Sequence, residues 1–367
     1  MRSLAVIPSD PLDAYVKAGY ESWLNDYYNP AHFFDRVYVL SPREPRARTA
    51  FGMEVIPTQP RQLLRRIREL KVDIVRAYGG YWPCDMACSH KVAGVPVIVS
   101  VHDSRRRHLY NSIKNADVIF CVSQAVKDLV MLRRPRTAHI WMLPNKVDFQ
   151  IMRPVPPEEI EELQQRYAFR FRIIHVGRKS REKNLDTLIN ALPLAGPDYC
   201  LIAIGSGDSG PYQKLAKQCG AEQRCFFLDP IANAELPRFY SLGDCLCVPS
   251  RWEGFGIVFI EALACEAVVV TSAIAPMNEY ITDGENGLLV NDYEDPAALC
   301  QAIRRACTNQ ELRSTIKAAA RRSVARFSKD VVVDQEVALY RRIFELKNQG
   351  MFGAQRPVFS LFRHNES

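Results

Sequence analysis

The sequence predicts an α/β protein made of two doubly wound halves in succession, on three observations. Short β-branched runs alternate with longer amphipathic stretches from end to end, the pattern of βα units around parallel sheets. Prolines concentrate over residues 143–157 and divide the alternation into two series. The 367 residues also exceed the length at which a single core usually keeps growing.

In the first series the runs predict strands at Leu4 to Ile7, Val37 to Leu40, Ile74 to Arg76, Val97 to Val101 and Val118 to Val122, with helices between them. Leu143-Pro144-Asn145 through Pro154-Val155-Pro156-Pro157 reads as the linker. The second series predicts strands at Ile173 to Val176, Cys200 to Ile204, Cys225 to Leu228, Cys245 to Val248, Val268 to Val270 and Leu288 to Val290. From Pro296 to Lys347 the pattern is consecutive helices, the last long enough to cross back and brace the first half. The expected divisions are therefore residues 1–150, residues 151–328, a returning helix at 329–348 and a tail at 349–367. In that tail Phe352, Phe359 and Phe362 mix with arginines as in a frayed end.

With 47% hydrophobic and 24% charged residues the composition is that of a soluble globular domain, which excludes disordered and fibrous classes. The apolar run near Met1 is too short for a signal-peptide core, and no segment approaches the ~18 apolar residues of a membrane span. Eleven cysteines are scattered, several inside apolar strands (Cys121, Cys200, Cys245, Cys247), as buried thiols of a reduced, cytoplasmic protein would be. Only Cys84 and Cys88 share helical spacing and no C-x-x-C occurs, so no metal site is expected.

A net charge of +7 implies an acidic partner and suits nucleotide diphosphates, anionic lipids or nucleic acid alike. Nucleic acid is set aside, because no recognition motif or aromatic stacking surface accompanies the basic clusters. Arg61, Arg65, Arg66, Arg68 and Lys71 interleave with Leu63, Leu64, Ile67 and Leu70. That pattern describes a solvated helix packed on its own sheet or, alternatively, a patch for peripheral contact with an anionic membrane. Arg105-Arg106-Arg107 is the second cluster; it could steer an anionic acceptor or form a solvated loop.

The chemistry concentrates after the strands. Ser250-Arg251-Trp252-Glu253-Gly254-Phe255-Gly256-Ile257 follows one strand, and Glu261 stands in the helix beyond, seven residues separating the two glutamates. Gly254 and Gly256 permit a tight turn, and the helix they open points unpaired N–H groups at the strand end, a site for phosphate. Both carboxylates could accept hydrogen bonds from sugar and ribose hydroxyls in one cleft. After Ile173 to Val176 comes Gly177-Arg178-Lys179-Ser180-Arg181-Glu182-Lys183-Asn184, whose Arg178 and Lys183 could neutralise a leaving diphosphate. No D-x-D stands anywhere to carry a metal in that role. Gly205-Ser206-Gly207 allows close backbone approach to a ligand. Val99-Ser100-Val101-His102-Asp103 ends a strand with a histidine and an aspartate directed at the inter-domain cleft.

Together these pieces resemble the large family 4 of retaining glycosyltransferases, which have the GT-B architecture of two facing Rossmann-like domains. The resemblance also rests on Glu235-Leu236-Pro237, Tyr240-Ser241, Pro249-Ser250, Asp283-Gly284 with Asn286-Gly287, and Pro144-Asn145-x-Val147-Asp148. It implies that Arg178 and Lys183 hold the donor diphosphate, with Gly205 and Gly207 beside them. It further implies Glu261 on the ribose, Glu253 on the hydroxyls of the transferred sugar, and Phe255, Gly256 and Ile257 contributing backbone. His102 would touch sugar or phosphate from the other half. Gly19 and Arg105, Arg106 and Arg107 would lie on the acceptor side, although the glycine-rich turn is thin there, reduced to Lys17-Ala18-Gly19-Tyr20.

The implied reaction moves a sugar from a UDP- or GDP-linked donor, with retention and without metal or cofactor, to a glycan, a lipid-linked saccharide or a small molecule. A non-catalytic nucleotide-sugar-binding subunit and a sugar-nucleotide 2-epimerase are alternatives on the same architecture. Two departures lie near the donor: Cys265-Glu266-Ala267-Val268 replaces the usual glycine and proline, and Ala275-Pro276 precedes Glu279 in place of Gly-Gly.

Overall fold

The computed structural model describes residues 1–17 and 21–353. Two parallel sheets organise it. The first contains β1 (Ser3–Ile7), β2 (Arg36–Ser41), β3 (Arg48–Ala50), β4 (Met53–Pro57), β5 (Ile74–Tyr78), β6 (Val97–Val101), β7 (Val118–Cys121) and β8 (Ile140–Met142). The second contains β9 (Phe171–Val176), β10 (Tyr199–Ile204), β11 (Cys225–Leu228), β12 (Cys245–Val248), β13 (Val269–Ser272) and β14 (Leu288–Val290). Their orders are β3-β4-β2-β1-β5-β6-β7-β8 and β11-β10-β9-β12-β13-β14. Every pairing is parallel except that of β3 with β4. This is the two-domain Rossmann-like α/β architecture the sequence predicts.

Every residue of β1, β5 and β6 is buried, because helices cover both faces of the sheet, and such strands read as continuous apolar runs. The three strands beyond the expected set, β3, β4 and β8, lie toward the two edges of the first sheet. β3 and β8 are three residues long, and β4 alternates buried Met53 and Val55 with exposed Glu54 before ending at Pro57.

In the second sheet β9 lies between β10 and β12, so the chain leaves β9 toward one edge and later returns to its other side. A crevice at the strand ends arises at such a reversal, and ligands of doubly wound sheets bind there. The turns after β9 and β12 therefore flank the crevice.

The C-terminal helix Lys329–Asn348 packs on the first sheet. Its Val332, Val337, Tyr340, Ile343 and Leu346 are buried with Leu4, Val6, Phe33 and Phe34, and Phe352 beyond it joins the same core. Phe352 is thus seated and not frayed, with its carbonyl accepting from the Gly94 N–H at 3.1 Å. Phe359 and Phe362 fall outside the described residues. Where the chain crosses between the halves the two passages are tied together, Val147 N–H donating to Phe327 O (3.0 Å) and Lys329 N–H to Val147 O (2.8 Å).

The basic helix forms at Leu63–Glu69 and buries Leu63 and Ile67 against its own sheet, leaving Arg65 and Arg68 exposed. All eleven cysteines are free thiols. Among the described residues no helix is long and apolar enough to cross a membrane.

Candidate active site

The turn after β12 is fixed before its carboxylate does anything. Thr271 Oγ1 donates to Val248 O (2.9 Å) and Ser272 Oγ to Ser250 O (2.7 Å), pinning the loop to β13. Arg251 then ties it to the turn after β9: its N–H donates to Glu182 O (2.8 Å), and its guanidinium reaches Arg181 O (2.8 Å), Asp186 and Glu294. Held in this way, Glu253 and Lys183 form a direct ion pair through Oε1 and Nζ, with Ser250 Oγ donating to the same oxygen at 2.8 Å. Both side chains are buried. Two chemically complementary groups 70 positions apart thus meet at the crevice.

The glycines act by packing. Gly205 has φ +145°, and a Cβ there would lie 2.7 Å from the Gly177 carbonyl carbon; one on Gly207 (φ +109°) would lie 2.8 Å from Lys179 O. The turns after β9 and β10 therefore pack backbone on backbone. Lys179 Nζ closes the gap, donating to Gly205 O and to Leu228 O (2.8 Å). Gly256, at φ +77°, opens the helix Ile257–Ala264.

Glu261 is buried in that helix, its Oε1 accepting from Asn233 Nδ2 (3.0 Å) and its Oε2 from the Tyr240 hydroxyl (2.9 Å). Burial pushes its pKa up to about 7, although both donors pull it down.

The first half closes the site from above. A Cβ on Gly254 would overlap the His102 carbonyl, and Ser123 Oγ donates to Gly254 O at 2.7 Å. Glu279 reaches across to accept from the N–H groups of Gln124 and Ala125 (both 2.9 Å) at the start of the helix Gln124–Met131. His102 is held to about pKa 4 by burial and by Arg76, so it is neutral at physiological pH. Its Nδ1 faces Asn145 Oδ1 at 3.3 Å, and its Nε2 is buried without a hydrogen-bond partner. With the ring proton on Nδ1, Nε2 is an acceptor. A pocket of about 250 Å³ lies beside it, lined by Tyr27, Arg76, Asn145, Ile257 and Glu336 among others.

Comparison with known proteins decides the family. Residues 158–323 match the glycosyl transferases group 1, and residues 13–151 match Glycosyltransferase Family 4. The chain belongs to these glycosyltransferases. A D-inositol 3-phosphate glycosyltransferase of Xylanimonas cellulosilytica is 29% identical over 221 residues, 56% of this chain and 52% of that protein. The alignment thus spans about half the length of that relative. An alpha-D-kanosaminyltransferase of Streptomyces kanamyceticus is 25% identical over 287 residues, 69% of this chain and 72% of its own. Among solved structures, Anabaena HepE in complex with UDP superposes with a TM-score of 0.79 at 20% identity, covering 93% of this chain and 100% of that one. A sucrose-phosphate synthase from Thermosynechococcus elongatus gives 0.75 at 20% identity, covering 94% and 100%. At such identities the likeness is one of fold, and the fold is GT-B.

Not every expected site residue of this glycosyltransferase-family chain converges. Lys183, Glu253, Gly205, Gly207 and Gly256 assemble around the β9 and β12 turns, and Ile257 lines the pocket with His102. Arg178 stands at the edge of this group, largely exposed, with its guanidinium 3.1 Å from Glu182, which is itself 3.9 Å from Lys183 Nζ. Phe255 packs its ring on Tyr280 and Phe327 as a core residue. The Asp103 carboxylate is engaged within its own loop by Arg105 and by His108 (2.7 Å), which hold it below the ordinary carboxylate value against the opposing effect of burial. Of the three arginines of this loop, Arg105 is paired with Asp103 while Arg106 and Arg107 are exposed. Gly19 lies outside the described residues. Lys179, Ser250, Arg251, Tyr240 and Asn145 stand in motifs already quoted from the sequence, which gave them no role of their own; Asn233 carried no signal.

The raised pKa of Glu261 has a definite sign. A carboxylate whose folded pKa lies above its unfolded value stabilises the fold less as pH rises between the two, here from 4.5 to about 7, by roughly 3 kcal/mol in all. Glu261→Gln is therefore expected to melt at the wild-type temperature at pH 4 and several degrees above it at pH 8. Parallel melting curves across that range would remove the argument.

Proposed function

We propose that this protein is a retaining, metal-independent glycosyltransferase that moves a sugar from a UDP- or GDP-linked donor to an acceptor saccharide, lipid-linked saccharide or small molecule. The observation that carries the reading is the buried Lys183–Glu253 pair at the β9/β12 crevice, directly beneath the first half. The names of the relatives and the UDP-glucose complex of Anabaena HepE support the donor class.

In this reading Lys183, assisted by Arg178 and the N–H groups opening the helix Ile257–Ala264, neutralises the charge that develops on the leaving diphosphate. Fixed cations thereby take the role a divalent ion plays elsewhere. Glu261 accepts from the ribose hydroxyls, and Glu253 from hydroxyls of the transferred sugar. Neutral His102 presents Nε2 to a sugar hydroxyl without introducing a titration of its own near pH 7. The departing phosphate oxygen, on the face where the acceptor attacks, takes the acceptor proton, so the bond to the new oxygen forms where the old one breaks and the configuration is kept. A cytoplasmic location, where eleven thiols remain reduced, belongs to the same proposal.

A thermal-shift series with UDP, GDP and their sugars tests it, since a ligand at a hundred times its Kd stabilises the folded state by about 2.7 kcal/mol. One of the two nucleotides should raise Tm, EDTA should leave the shift and transfer intact, and Lys183→Ala and Glu261→Ala should each remove most of the shift. No shift with any nucleotide, or a full shift in either variant, would count against the assignment.

A further inference from the structure

Two basic motifs that the donor cleft does not use converge in space. Arg68, from the helix Leu63–Glu69, and Arg107, from the loop after β6, line one cavity of about 850 Å³ in the first half. It shares no lining residue with the pocket beside His102. Lys91, Arg133 and Arg136 also line it, against the acids Asp85 and Asp117. Asp117 is neutralised by Lys91 at 2.6 Å, which leaves four arginines facing a single aspartate.

Arg133 is the telling member. Its Nη1 and Nη2 are engaged by Asn111 Oδ1 (3.3 Å) and Arg106 O (3.0 Å), while its Nε is buried without a hydrogen-bond partner. A guanidinium anchored at both ends in this way fixes positive charge in the cavity wall, to which Arg68, Arg107 and Arg136 add theirs. Arginine forks match phosphate oxygens in geometry and charge. The remaining wall is apolar, with Leu64, Val92 and Leu109. Immediately before Arg133, Met131 and Leu132 are 52% and 69% exposed, placing uncovered apolar side chains next to the cations.

We propose that this cavity is a second binding site, independent of sugar transfer, for a phosphate-bearing amphiphile: the arginines take the phosphate, and Leu64, Val92 and Leu109 contact the apolar part. A lipid headgroup in a membrane and a soluble organic phosphate present the same chemistry.

The test compares the full chain with Arg68→Glu/Arg136→Glu, both on exposed positions, and with Lys214→Glu/Lys217→Glu, an equal charge change on an exposed helix of the second half. Each is measured against vesicles of phosphatidylcholine with phosphatidylglycerol by co-sedimentation, and against monomeric dihexanoyl phosphatidic acid by titration. Wild-type binding to vesicles, weakened about twentyfold in the Arg68/Arg136 variant and unchanged in the lysine variant, supports the site with a membrane lipid as its ligand. Binding of the short phosphatidic acid alone, with the same loss, supports it with a soluble ligand. Absence of wild-type binding to either probe, or equal weakening in both variants, overturns it. The nucleotide-induced thermal shift should persist in both variants, so that failure here is distinguishable from failure of the donor assignment.

Discussion

Gly254→Ala is expected to lower kcat/KM for transfer by at least about a hundredfold while both halves remain folded. A Cβ at this position would overlap the His102 carbonyl oxygen and lie 2.9 Å from its carbonyl carbon, and both groups are backbone. No rotamer change relieves such an overlap, so the halves must part. The hydrogen bond from Ser123 to Gly254 O and the capping of Gln124 and Ala125 by Glu279 stretch with them. In the proposed reading His102 meets the transferred sugar, and its displacement by about 1 Å is enough for a loss of that size. Because φ of Gly254 is not positive, alanine is not strained within its own turn. Tm should therefore fall little, and donor binding, which we have proposed to centre on Lys183 and Glu261, should survive better than turnover. Undiminished transfer by this variant would show that catalysis does not need the halves this close.

Glu336→Gln is expected to cost about 3–5 kcal/mol of stability, read as a lowered denaturant midpoint and Tm. Glu336 is buried on the C-terminal helix, where one oxygen takes Arg76 Nη1 and the other Lys146 Nζ at 3.1 Å. Arg76 also donates to Tyr340 (2.7 Å) and Ser100 (2.8 Å). Removing the carboxylate charge leaves two buried cations side by side without a counterion on the wall of the pocket beside His102. Burial alone would raise the carboxyl's pKa, but Lys146 and Arg76 outweigh it and hold Glu336 below the ordinary value. Its stabilisation is thus complete at neutral pH and is lost only as pH falls below the usual carboxylate range. The wild-type advantage over Glu336→Gln should shrink in acid, and a variant as stable as wild type at pH 7 would contradict this account.

How much was legible follows from what each residue answers to. The eleven strands read from periodicity are all present, because strands buried on both faces must be apolar throughout and no other constraint competes. β3, β4 and β8 were not legible, since near the sheet edges short strands depend on pairing partners and not on their own composition. At the site, glycines stood out because backbone approach leaves no choice of residue at Gly205 and Gly207. Lys183 and Glu253 were visible as types in their turns, yet their direct bond was not. Arg76, Lys146 and Glu336 carried no signal at all: Arg76 sits mid-strand among apolar neighbours, and its partner comes 260 positions later. That the Asp103 carboxylate clamps its own loop was not legible, because Arg105 and His108 carry no pattern that pairs them with it.

The position of the helix Lys329–Asn348 on the first sheet fixes the order in which the protein can be finished. A ribosome releases β1 to β8 long before it translates the residues that cover Leu4, Val6, Phe33 and Phe34. The second half, made in between, has no such debt to later sequence and can close as it emerges. The portion born first is thus the last to mature, and a message cut short before Lys329 yields a nascent chain whose opening sheet lies bare to chaperones and proteases.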